Sequence, residues 1–139
     1  FSFEHDEIAW NYRLPNLNAA LGCAQLEQLP RFLSAKRALA ERYIEVFQNT
    51  GLDILQEPKN TQSNYWLVTL INRDADENWR DEILSALHQE KILCRPTWTP
   101  LHQLPMYKNN PRADLQLTEN LHKRIISLPS SVKLGLEYV

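Results

Sequence analysis

From Leu17 to Phe47 the chain keeps apolar residues at helical spacing, with a single proline, Pro30, in between. Leu17, Ala20, Leu21, Ala24 and Leu29 form the first run, and Phe32, Leu33, Leu39, Tyr43, Ile44 and Phe47 the second. A proline in the first turn of a helix gives up no hydrogen bond, and at a helix junction it bends as readily as it breaks. The pattern therefore predicts two helices or one long kinked rod from about 17 to 49, with Asn16 as N-cap and Gly51 as the stop signal. In a chain of 139 residues, long enough for a single core, so much helix at one end leaves the remainder to build a small second layer.

That remainder alternates. "NYWLVTLI" has the aromatic and β-branched content of a central strand, and "IISLP" and Ile92-Leu93-Cys94 read as two further short strands. Between them, Trp79, Ile83, Leu84 and Leu87 predict a helix closing near Lys91, and a last helix is expected from about Leu115 to Lys123. The fold class is α+β: a long N-terminal helical rod and a small three-stranded, mostly antiparallel sheet with helices on one face. So small a sheet leaves a face to be buried against a surface outside the chain.

The segment "RPTWTPLHQLPMYKNNPRAD" lacks periodicity and is pinned by Pro96, Pro100, Pro105 and Pro111, which predicts an ordered loop and a working surface. Arg95 opens it, and Trp98 and His102 lie within it. A guanidinium fork on a rigid support suits a carboxylate or phosphate, and Arg13 beside Leu14-Pro15 is placed in the same way. A surface ion pair is the plainer role for either arginine. Asn11 and Tyr12 add an amide and a phenol that a phosphate group can use. For His102, held by stiff backbone, a structural role and a functional one both stay open. His88 and His122 read as solvated helix residues. His5, in the acidic run Glu4-His5-Asp6-Glu7, has no second cluster to complete a metal site.

A net charge of -2 gives no electrostatic reason to expect nucleic acid or an anionic membrane, and no apolar run reaches the roughly 20 residues of a membrane span. Cys23 and Cys94 stand far apart with no CxxC or Cys/His spacing, which fits a reducing, cytoplasmic setting. With three glycines the chain has neither a phosphate loop nor a GxSxG elbow. Phe1-Ser2-Phe3 reads as mid-protein sequence, so a fragment is expected.

"NYRLPNLNAALGCAQLEQLPRF", "RPTWTPLHQLPMY" and "RIISLPSSVKL", in that order, resemble three motifs of the DegT/StrS-type sugar-nucleotide aminotransferases, which depend on pyridoxal 5'-phosphate (PLP). The resemblance implies the C-terminal part of a fold-type-I enzyme: 1–16 the end of the large domain, 17–50 the connecting helices, and 51–139 the small α+β domain. It further implies a homodimer through the 10–30 segment, with Asn11, Tyr12 and Arg13 in the neighbour's cofactor pocket and Arg95, Trp98 and His102 facing a keto-sugar nucleotide. Trp98 stands where many members have a Tyr after a His, which resembles the branch acting on amino sugars of surface polysaccharides. The lysine that holds PLP is expected upstream, since none of Lys36, Lys59, Lys91, Lys108, Lys123 or Lys133 lies in a matching segment. Hence the chain alone is expected to be inactive. Two other readings remain: a related sugar dehydratase in which histidine replaces that lysine, and a binding or scaffolding domain that kept the fold without the catalysis.

Overall fold

The computed structural model describes residues 4, 6–8, 14–75 and 77–139, apart from the side chain of Glu77. Helix α1 spans Asn16–Glu27 and α2 spans Leu29–Phe47. Asn16 is already helical, and Pro15 takes the position before the first turn without any side-chain cap, so the predicted N-cap moves by one residue. Pro15 starts the helix through its carbonyl, which accepts from the Ala19 N–H at 2.9 Å. Gln28 alone separates the helices. It stays right-handed (φ -98°, ψ -4°), and its carbonyl accepts from Phe32 N–H at 3.0 Å. Pro30 has no N–H to return to the preceding turn, and the helical ladder lapses there.

The end of α2 corrects another expectation. Gln48 is extended and Asn49 is the first residue with positive φ (62°), so the helix stops before Gly51, whose φ of 80° serves the turn that follows.

Among the described residues four strands, rather than three, form the sheet: β1 (Asp53–Ile54), β2 (Val68–Ile71), β3 (Arg95–Pro96) and β4 (Ile125–Leu128), in the order β1-β2-β4-β3 and antiparallel throughout. The additional strand, β1, has only two residues, one an aspartate, and owes its form to pairing with β2 rather than to propensity. The strand expected at 92–94 begins later. Lys91 is left-handed (φ 62°) and Ile92 N–H donates back to Leu87 O at 2.8 Å, so these residues finish the preceding helix before the chain reaches β3. Pro96 is tolerated because β3 is an edge strand.

Register assigns the two faces. Ile54, Leu70, Ile126 and Pro96 lie across one row, and Thr69, Ser127 and Arg95 across the next, which by alternation faces the other way. The first face carries the core, in which Val68, Leu70, Ile126 and Leu128 meet Ala40 of α2 and Leu84 of α3 (Glu77–Gln89). Tyr43, Ile44 and Phe47 of α2 and Ile83 and Leu87 of α3 close over the same cluster. Cys94 is buried in it, and burial pushes its thiol pKa up, away from reactivity.

Two further helices complete the chain: α4 (Gln116–His122) and α5 (Val132–Gly135), the latter followed by a 3-10 turn at Leu136–Tyr138. Sequence periodicity misses α5 because four residues are too few to show a repeat. It packs on α2 at Gly135, where an added Cβ would overlap the Ala35 carbonyl. Only glycine permits that approach.

Candidate functional site

The proline-pinned loop is ordered by two 3-10 turns, Leu101–Gln103 and Pro105–Tyr107, and by two contacts to α4. Thr97 Oγ1 lies 3.0 Å from His122 Nδ1, and His102 Nε2 lies 2.8 Å from Glu119 Oε1. With its side chain 10% exposed, His102 spends that ring nitrogen on α4. Its remaining surface lines a cleft of about 450 Å³ with Pro100, Leu101, Tyr107, Pro111 and Leu115. His122 is therefore a loop tie rather than a solvated residue. His88 is corrected in the same sense, its Nε2 lying 2.7 Å from Cys94 O. Both sit in the last turn of a helix, from which a ring reaches the segment that follows.

Trp98, about half exposed, stacks on Trp66 with ring centroids 5.9 Å apart and planes 29° apart. Trp66 precedes β2 and Trp98 follows β3, so the indoles come from the two strands that flank β4. Arg95 is exposed on β3, three residues from Trp98, with its Cα paired to Ser127. Thus Arg95 and Trp98 share one edge of the sheet, while His102 is drawn toward α4. A second, polar cleft of about 590 Å³ lies beyond the loop, lined by Arg80, Ser85, Thr97, Gln103, Glu119 and His122. Asn11, Tyr12, Arg13 and His5 lie outside the described residues.

Sequence reasoning missed the residues that hold Trp66. Arg37 of α2 forms a two-pronged pair with Glu57 (2.6 and 3.2 Å) and donates to Ser63 O at 2.7 Å. Glu57 in turn accepts from Ser63 N–H. Hydrogen bonding from Arg37, with the Ser63 amide adding to it, holds the Glu57 carboxyl below the usual carboxylate range. Arg37 also stands over the buried Tyr65 ring, 5.6 Å from its centroid. Lys36, the neighbouring residue, donates its ammonium to the carbonyls of Trp66 and Ser130. Burial lowers its pKa. The sequence signal was present in Ser63-Asn64, a turn pair placed just ahead of a strand.

Around Lys36, the geometry bears on a cofactor. An amine that forms a Schiff base must present a free lone pair, whereas Lys36 spends its protons on two carbonyls. It does not fit the role of the PLP lysine.

Among similar proteins, the GDP-perosamine synthase of Escherichia coli O157:H7 is 38% identical over 135 residues, covering 97% of this chain and 36% of that protein. "Putative pyridoxal phosphate-dependent aminotransferase EpsN" of Bacillus subtilis (strain 168) is 34% identical, covering 92% of this chain and 34% of that protein. Of solved structures, Helicobacter pylori PseC, an aminotransferase involved in the biosynthesis of pseudoaminic acid, superposes with a TM-score of 0.79 at 27% identity, over 97% of this chain and 37% of PseC. The chain spans about a third of the length of the relatives it matches. Its residues 2–139 match the DegT/DnrJ/EryC1/StrS aminotransferase family, and the chain belongs to that family.

Proposed function

We propose that the protein containing this chain transfers an amino group from an amino acid, glutamate in the first instance, to a keto-sugar nucleotide in amino-sugar or surface-polysaccharide biosynthesis. The observation that carries this is the family match over 2–139, together with 38% identity to a GDP-perosamine synthase. PLP supplies the electron sink for the transfer. This chain then contributes the end of the large domain (1–16), the connecting helices (17–50) and the small domain (51–139). Asn11, Tyr12 and Arg13 border the cofactor phosphate of a second copy, and Arg95 and Trp98 face the sugar nucleotide. His102 belongs to the same loop, with one ring nitrogen committed to Glu119.

Two copies are joined through the 10–30 segment. In its support, α1 has no buried residue, and Leu17, Leu21 and Leu26 are each more than 60% exposed. Apolar area of this kind calls for a covering surface. No described helix is long and apolar enough to cross a membrane, and a cytoplasmic enzyme fits that and the free Cys23 and Cys94.

Full-length protein loaded with PLP tests the reading. Added glutamate should remove the absorbance of lysine-bound cofactor, and a keto-sugar nucleotide should restore it with formation of an amino sugar. Loss of oxygen from the sugar without amine gain would mark the protein as a dehydratase. Failure to retain any cofactor after dialysis would leave only a binding domain.

A further inference from the structure

Trp66 is 65% exposed two residues ahead of a central strand, where an indole gains most by turning inward. The chain holds it outward at a cost. Tyr65, a bulky non-glycine residue, sits in the left-handed region at φ 43°, a conformation that persists only where the surroundings over-determine it. Those surroundings are explicit. Tyr65 N–H donates to Ser63 Oγ at 3.0 Å and Trp66 N–H to Asn64 Oδ1 at 2.9 Å, which fixes the turn from within. Arg37 lies over the Tyr65 ring, and Lys36 grips the Trp66 carbonyl. The next residue but one is fixed as well, since Val68 N–H donates to Ser130 Oγ at 2.9 Å. The turn buries Tyr65 and presents the following indole to Trp98.

We infer that Trp66 is a positioning residue for the sugar nucleotide: its stacked indole fixes the orientation of Trp98, whose other face is the apolar wall against a ring of the substrate. The inference rests on the proposed role of Trp98. An indole carries one N–H donor and otherwise only a π face, so such a wall recognises ring faces and leaves phosphate to the cationic groups. It acts in binding the sugar nucleotide and has no part in the half-reaction with the amino donor.

The test uses full-length holoenzyme with Trp66→Ala, Trp66→Phe and Trp98→Ala. Near-UV circular dichroism should lose one indole couplet in both alanine variants, which checks the stack without reference to activity. Trp66→Ala should raise KM for the keto-sugar nucleotide about tenfold with kcat within about twofold, and leave the glutamate half-reaction unchanged. Trp66→Phe, which keeps a stacking ring, should fall within about threefold of wild type in KM. If Trp98→Ala raises KM and Trp66→Ala does not, the positioning role is overturned while the reading of Trp98 stands. If neither moves KM, the reading of Trp98 fails and the inference with it. Equal losses in both half-reactions would show a merely structural role and overturn it too.

Discussion

Helices α1 and α2 follow one another with only Gln28 between, yet they are built for different surroundings. In α2, Ala35, Leu39 and Ala40 are buried, Lys36 and Arg37 hold the turn before β2, and Tyr43 donates its hydroxyl to Pro129 O at 3.1 Å. In α1 no residue is buried, and a Cβ added at Gly22 would meet nothing within 4 Å. Hydrophobicity is no guide to the difference, because α1 is rich in Leu and Ala while α2 carries Arg31, Glu41, Arg42 and Glu45 on its outer side. What separates them is whether the apolar residues are covered by other described residues of the chain. Thus α2 belongs to the core of this domain, whereas α1 leaves its leucines exposed, as the proposed contact with a second copy requires.

The tightest packing of α2 lies at its contact with α5. Gly135→Ala forces the Ala35 carbonyl away, and the free energy of unfolding in urea should fall by about 3 kcal/mol. No measurable loss would mean that α5 is not held against α2. Leu39→Ala, at a 5% exposed position, should cost about 2.5 kcal/mol at every protein concentration. The paired change Leu17→Glu with Leu21→Glu should behave in the opposite way. Its effect on intrinsic stability should stay within about 0.5 kcal/mol, the range of surface substitutions, while the dependence of Tm on protein concentration that a wild-type dimer shows is lost. A concentration-independent loss as large as that of Leu39→Ala would erase the distinction between the two helices.

The smallest effect concerns what α2 holds in place. Glu57 has a folded pKa below its unfolded value of about 4.3, so the stability it lends is present above that pH and is lost as pH falls through the lower folded value. Amide-exchange protection at Ser63 should therefore drop in acid, and Glu57→Gln should remove that pH dependence. A profile identical in wild type and variant would show that the Arg37 pair does not fasten the turn.

How much of this was legible follows from the same contrast. Helical periodicity found α1 through α4 because each has enough residues for a repeat to show, while β1 and α5, two and four residues long, exist only through their partners. The proline-pinned loop was found from composition, yet its ties to α4 were not, since a histidine at the end of a helix looks solvated until the chain folds back to meet it. Trp98 stood out by its setting. Trp66 did not, because "NYWLVTLI" makes an aromatic look like strand filling, and only the left-handed Tyr65 turns it outward.

Subunit complementation tests whether this chain supplies part of an active site belonging to a second copy. Two full-length variants are prepared, Asn11→Ala and one lacking the PLP lysine, each inactive alone. If Asn11 serves the neighbouring copy, heterodimers contain one intact site, and mixing equal amounts with subunit exchange should restore about a quarter of wild-type activity. If the mixture stays as inactive as its components, although exchange is demonstrated, Asn11 serves its own copy and the shared site is refuted.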